Sequence, residues 1–226
     1  MKPIEEMDIT QKLFVSRTHH RRILVDRTDA ATGSRMGGTP PSTFVTPPRR
    51  CPRCGGQLEY VLTLANDTLG SQIADAEAVS MFCCRDLECL WGSRWILDVP
   101  SIVLIVHRDA PRAAVRSELD STSEGRKLVL RDLCEDPLDK SGFVDTDRSK
   151  LGGRPGYIQA WGDEEAEKAQ RGGRGFLFQW CETDHPNDMD RGTYPFCGGV
   201  VYVFSRINPV TKLPELSDLS AFWQST

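Results

Sequence analysis

The chain has 226 residues, a net charge of −4 and a sequence pI near 5.6. Hydrophobic residues make up 39% and charged residues 27%, the proportions of an ordinary soluble globular protein, with length for one sizeable domain or two small ones. No apolar run approaches the roughly 18–20 residues of a membrane span, and the acidic balance argues against direct nucleic-acid binding while suiting a basic protein partner.

The N-terminus opens with Lys2, Glu5, Glu6 and Asp8 and has no apolar signal-peptide core, so a cytoplasmic location is expected. In that reducing compartment the eight cysteines are thiols or metal ligands rather than disulfides. Ile4 to Leu13 has the pattern of a short amphipathic helix. The basic run Arg17-Thr-His-His-Arg-Arg22, with His19 and His20, reads as a solvated face before the strand-like Ile23-Leu24-Val25. Residues 1–33 form this N-terminal helix and strand segment. Gly37 to Arg50 is rich in Pro and Thr and reads as extended chain, and Val99 to Val106 as a buried strand. Residues 107–148 form a polar connecting segment with one strand at Lys127 to Leu130 and a core cysteine, Cys134. Asp163 to Arg171 has helix-forming residues and an acidic start.

The chain repeats itself. Ser34-Arg-Met-Gly-Gly-Thr-Pro40 is matched by Ser149-Lys-Leu-Gly-Gly-Arg-Pro155, Tyr60 to Leu64 by Phe176 to Trp180, and Ala78 to Phe82 by Val200 to Phe204. The three blocks keep their order and their spacing drifts by only a few residues. Each pair of apolar blocks is joined by an acidic, turn-rich stretch, Ala65 to Glu77 and Cys181 to Gly199, as in two antiparallel strands with a long hairpin loop. The expected fold is therefore α+β and strand-dominated, made of two diverged copies of one β-rich unit at 34–106 and 149–226. The paired glycines allow backbone conformations closed to other residues and close approach of another segment, and the proline two positions on sets the exit direction.

The strongest chemistry is a structural zinc knuckle in the first copy. Cys51-Pro-Arg-Cys54-Gly-Gly supplies one ligand pair, and Cys83-Cys84-Arg-Asp-Leu-Glu-Cys89 the other. Four thiolates make a closed tetrahedral zinc site with no open position for water. Adjacent residues of a strand point to opposite faces, so one of Cys83 and Cys84 reaches the ion. The spacing selects Cys84, giving Cys51, Cys54, Cys84 and Cys89. The second copy carries Ser205 and Arg206 at the matching positions and lacks the site.

A second grouping, Cys181, His185 and Cys197, could serve a metal or a nucleophile, or be two thiols and a polar histidine in a surface loop. Neither a Gly-x-Ser-x-Gly elbow nor a His-Glu-x-x-His helix occurs, so the chain reads as a non-enzyme. The aromatic residues Trp91, Trp95, Tyr157, Trp161, Trp180 and Trp223 are core candidates, with Trp91 and Trp161 the ones to expect at the surface. The acidic stretches offer a partner-binding face at Asp163, Glu164, Glu165, Glu182, Asp184, Asp188 and Asp190.

The first copy, with Gly-Gly-x-Pro ahead of a CxxCG knuckle and Phe-Cys-Cys-Arg-x-x-x-Cys, resembles the programmed cell death protein 2 family. The second, with Lys150 to Pro155, Phe176 to Trp180 and Gly198 to Phe204, resembles the bacterial YwqG-like family. The resemblance implies a strand-dominated α+β fold of two related halves and no enzyme. For the eukaryotic family it implies a chaperone of a small-subunit ribosomal protein, whose long acidic insert this chain lacks. For the bacterial family it implies, in some members, an immunity protein. The leading expectation is accordingly a cytosolic immunity protein that neutralises a cognate toxin, with a basic toxin domain as partner. The alternatives are a chaperone or adaptor for a basic ribosomal protein and an enzyme using Cys181 and His185.

Overall fold

The computed structural model describes residues 8–17, 19–29, 33–38, 40, 50–69, 77–93, 97–98, 101–108, 125–136, 148–159, 161–184, 196 and 198–225. The strands are β1 (His19–Asp29), β2 (Arg35–Met36), β3 (Leu58–Ala65), β4 (Ala78–Cys84), β5 (Ile102–His107), β6 (Arg126–Glu135), β7 (Lys150–Leu151), β8 (Arg174–Cys181), β9 (Val200–Ile207) and β10 (Pro214–Gln224). The α-helices are α1 (Ile9–Gln11), α2 (Asn66–Leu69), α3 (Leu87–Trp91) and α4 (Trp161–Arg171), and strands dominate.

The chain divides into two compact units, neither continuous in sequence. The terminal unit takes Met1–Leu24, Arg94–Asp98 and Leu130–Thr226, and the cysteine unit takes Val25–Ser93 and Val99–Val129. Strands β1 and β6 are each divided between the two, an exchange for which a contiguous reading of the sequence has no signal.

In the cysteine unit the strand order is β6-β2-β3-β4-β5, with every neighbouring pair antiparallel. Arg35 pairs with Thr63 and Met36 with Leu62, and β3 carries an irregularity between Tyr60 and Leu62. Gly37 donates its N–H to the carbonyl of Val61 at 2.8 Å, and Ser34 Oγ accepts from Ala65 N at 2.8 Å. In the terminal unit the order is β10-β9-β8-β7-β1, again antiparallel. Here Lys150 pairs with Gln179 and Leu151 with Phe178, and β8 carries its irregularity between Phe176 and Phe178. Gly152 donates to Leu177 O at 2.8 Å, and Ser149 Oγ accepts from Cys181 N at 2.9 Å. Each sequence block thus makes the same hydrogen bonds in its own unit.

The glycine pairs adopt a backbone conformation that side chains disfavour. Gly37 and Gly38 have φ of 64° and 72°, Gly152 and Gly153 of 71° and 72°, the left-handed region that penalises a Cβ. At Gly153 a Cβ would collide with the Asp136 carboxylate and lie 3.0 Å from the carbonyl of His19, and at Gly152 it would lie 2.8 Å from Leu13 Cβ.

Alternation along the strands sorts the cores. In the terminal unit Phe176, Val200, Tyr202, Phe204 and Phe222 form one apolar cluster with Ala166 and Ala169, three positions apart on α4 and therefore on one helical face. Trp180 and Trp223 are fully buried, and Trp223 packs on Phe196 with ring centroids 5.4 Å apart. In the cysteine unit Leu62, Leu64, Val79, Met81 and Cys83 are wholly buried.

Several local expectations are revised. Residues 1–7 lie outside the described residues, and the rest of the expected N-terminal helix is helical, as α1, capped by Asp8, whose Oδ1 accepts from Gln11 N at 2.8 Å, and a π-helical turn at Lys12–Ser16. It ends where Arg17 turns left-handed, with φ of 54°. The stretch expected to be a solvated basic face instead begins strand β1. His20 is buried, with Nδ1 2.8 Å from Asp136 Oδ1, because pairing with β7 draws the run into the sheet. The short strand at Lys127 to Leu130 is the first half of the longer β6. Cys134 is half-buried rather than core; Trp91, one of the two tryptophans expected towards the surface, is half-buried. Trp95 and the side chain of Trp161 lie outside the described residues.

Candidate metal centre

Two short loops of the cysteine unit bring four sulfurs together. The first is closed by Cys51 N donating to Gly56 O at 2.7 Å and Gly55 N donating to Cys51 O at 2.9 Å. Gly55 takes a φ of 74°, which the tight reversal requires. That reversal turns Gly56 N onto Cys54 Sγ at 3.3 Å, a donor aimed at the sulfur. The second loop leaves the end of β4 at Cys84, which pairs with Leu58. Arg85 N then donates to Gln57 O at 3.0 Å, tying this loop to the first. Asp86 caps α3 by accepting from Cys89 N at 3.1 Å, so Cys89 stands in the first turn of that helix. Arg53 Nη1 reaches across to the carbonyl of Cys89 at 2.9 Å.

Cys51 Sγ lies 3.8 Å from Cys89 Sγ, and Cys54 Sγ lies 3.5 Å from Cys84 Sγ. All four sulfurs are within 4.8 Å of one another. These separations far exceed a disulfide bond of about 2.05 Å. Four thiolates at about 2.3 Å from one tetrahedral ion stand roughly 3.8 Å apart, so the set has the dimensions of a metal site. Cys51, Cys84 and Cys89 are buried among Leu58 and Phe82, with Tyr60, Val103 and Ile105 packed against them, and only Cys54 is exposed. Cys83 is fully buried but lies outside the set, its neighbours across the sheet being Glu59 and Ile102.

Burial pushes the thiol of Cys84 up to about 11 and that of Cys89 up as well. Burial also raises Cys51, but the backbone N–H groups of Cys54 and Arg53 and hydrogen bonds from Cys84 and Cys89 leave it below its ordinary value. A cation at the centre would let all four stand together as thiolates.

The second cysteine grouping is not assembled in the described part of the chain. Cys181 is buried on β8, with Sγ 3.1 Å from Thr183 Oγ1, and burial raises its thiol pKa, the opposite of nucleophile activation. His185 and Cys197 lie outside the described residues.

The acidic face needs correction at two positions. Glu182 is 4% exposed, and its Oε1 and Oε2 accept from Phe196 N and Gly198 N, each at 2.9 Å. Glu165 is 7% exposed, with Oε2 accepting from Leu97 N at 2.8 Å and Oε1 taken by Lys168. Both carboxylates are themselves buried and turned onto partners within the unit, which removes them from any exposed docking patch. Asp184 is half-buried between Arg22, at 3.2 Å, and Ser149 N, at 2.9 Å. Glu164 is exposed on α4. Asp188, Asp190 and the side chain of Asp163 lie outside the described residues.

Two buried polar groupings carry no sequence motif. In the cysteine unit Tyr60 Oη donates to Thr63 Oγ1 at 2.7 Å, Thr63 Oγ1 lies 2.6 Å from Ser80 Oγ, and Ser80 Oγ lies 2.7 Å from His107 Nε2. Arg35, 2% exposed, lies beside this chain, and burial together with its charge lowers the pKa of His107. In the terminal unit Asp136 Oδ1 is 3.1 Å from Lys150 Nζ, and Asp136 Oδ2 accepts from Arg154 N at 2.6 Å. Burial opposes ionisation of Asp136, but the hydrogen bond from His20 and the charge of Lys150 hold its pKa below the ordinary value. The available signal is a polar residue inside an apolar strand, as Thr63 and Ser80 are.

Among the described residues no helix is long and apolar enough to cross a membrane. No protein-family model matches the chain, and a search of curated proteins returns no significant match.

Proposed function

We propose that this is a non-catalytic cytoplasmic binding protein, stapled by a structural zinc ion on Cys51, Cys54, Cys84 and Cys89, that neutralises a cognate toxin by binding it. The observation that carries the zinc assignment is the sulfur spacing, 3.8 Å and 3.5 Å in the two closest pairs of a four-sulfur set. An all-cysteine tetrahedral set suits zinc over harder cations and leaves no position for substrate or water. Such an ion stabilises a fold and performs no chemistry.

Duplication of one β-rich unit accounts for the paired glycine turns, the matched strand irregularities and the two serine hydroxyls that each accept a strand amide. On this reading the terminal unit has lost its ligands, with Ser205 and Arg206 standing where the other copy has Cys83 and Cys84. The motifs that resemble the YwqG-like and programmed cell death protein 2 families fall in the corresponding strands and turns. Binding is favoured over catalysis by the work of the buried carboxylates of Glu182 and Asp136 and the half-buried one of Asp184, which accept from backbone amides. The net charge of −4 speeds encounter with a basic toxin domain. Of the acidic residues expected at a docking face, Glu164 is the one exposed among the described residues.

The test is capture by the tagged, zinc-loaded full chain from its native host, with the bound proteins identified by mass spectrometry. A stoichiometric, basic secreted-toxin domain, bound more weakly by Glu164→Lys, is the expected result. A ribosomal protein in its place establishes the chaperone alternative, and affinity unchanged by Glu164→Lys at low salt removes α4 from the interface.

A further inference from the structure

Strand β5 ends the strand order of the cysteine unit, so one edge pairs with β4 and, among the described residues, no strand pairs with the other. Cys84 N donates to Ser101 O at 2.8 Å, which sets the phase of the ladder. The amides of Ser101, Val103, Ile105 and His107 face β4, and alternation turns those of Ile102, Leu104 and Val106 outward. The pairing runs from Ile102 to His107 without a register shift. Over that length the sequence is Ile-Val-Leu-Ile-Val-His, with no charge, proline or glycine, and Val103 to Val106 are half-buried. Sheets ordinarily guard an edge with lysine, proline, a bulge or a covering element. Strand β5 carries none of the first three.

We infer that this edge pairs with the same edge of a second copy of the chain, antiparallel, about a two-fold axis at Leu104. The outward amides choose this occupant. Ile102 and Val106 lie symmetrically on either side of Leu104, so a two-fold operation sets Leu104 against the partner's Leu104 and Ile102 against the partner's Val106. Every outward N–H then meets an outward carbonyl with no slip in register. The charge pattern agrees: an uncharged strand meets itself without placing like charges opposite one another, and offers no opposite charge to a charged peptide. The contact is isologous and closes after two copies, which is how an unguarded apolar edge avoids open-ended association.

The experiment is sedimentation or light-scattering mass of the full zinc-loaded chain over a wide concentration range, beside Leu104→Pro and Leu104→Lys. The Leu104 N–H faces away from β4, so proline there removes an intermolecular donor and spares the ladder within the unit. Lysine instead places two like charges on the axis. The wild type is expected at twice the chain mass, with both variants at the chain mass and an unchanged circular dichroism spectrum. Hydrogen exchange at Leu104 should be slow in the concentrated wild type and fast on dilution. If proline disturbs the fold, Leu104→Lys decides alone. A wild type monomeric at every concentration overturns the inference, as do a dimer that survives Leu104→Lys, open-ended oligomers, and protection at Leu104 that appears only with a heterologous partner.

Discussion

The sulfurs of Cys51 and Cys89 lie 3.8 Å apart although 38 positions separate the two residues. One sits in a glycine-bearing reversal and the other in the first turn of a helix, so neither segment has a use for that geometry without the other. Cys84→Ser is expected to abolish stoichiometric metal binding and to cost the cysteine unit several kcal/mol, because metal binding and folding are one free energy in small sites. Cys83→Ala should keep the metal and cost about 1–2 kcal/mol through the cavity it opens. Metal content by mass spectrometry beside thermal unfolding reads both. A Cys84→Ser protein carrying wild-type zinc would sink the ligand assignment.

The two glycine turns separate backbone strain from close approach. Gly37 has nothing within 4 Å of where a Cβ would stand, so Gly37→Ala should cost only left-handed strain, about 1–2 kcal/mol. At Gly153 the same φ is combined with a collision against the Asp136 carboxylate, and Gly153→Ala should cost about 3 kcal/mol or more. Denaturant unfolding of the two variants supplies the comparison. Equal costs would mean that the Asp136 contact contributes nothing.

Two buried titratable groups predict opposite slopes of stability with pH. Burial, opposed by the N–H groups of Phe196 and Gly198, raises Glu182 from its ordinary 4.5 to about 7. Between those values the folded chain holds a proton that the unfolded chain has released, so stability falls as pH rises, by roughly 3 kcal/mol at most. His107 is lowered from 6.5 by burial and by Arg35, so the unfolded chain takes up its proton first. Its contribution is complete above pH 6.5 and is lost as pH falls towards the folded value. Glu182→Gln should remove the first slope and keep the second. Unfolding midpoints measured from pH 4.5 to 8 test this, and a Glu182→Gln curve parallel to the wild type would refute the Glu182 part.

Much of the local structure was legible in the sequence. The β-branched and aromatic runs at Tyr60 to Leu64, Ala78 to Phe82, Phe176 to Trp180 and Val200 to Phe204 all lie inside strands, and Asp163 to Arg171 lies inside α4. Cysteine spacing and strand alternation chose Cys84 over Cys83, and those four sulfurs are the ones that meet. These signals succeed because a period of two and a CxxC turn are local properties, written within a few residues. The burial of Glu165 and Glu182 was not legible, because acidic residues in the first turns of a helix or in a turn-rich stretch look solvated until the amides of Leu97, Phe196 and Gly198 arrive. Nor was the division of β1 and β6 between two units, or the Thr63–Ser80–His107 hydrogen-bonded chain. Arg21 donates to the carbonyl of Arg131, 110 positions away. Which strand lies beside which, and therefore which polar group loses its water, is settled by contacts at that separation, and no local pattern of residues encodes them.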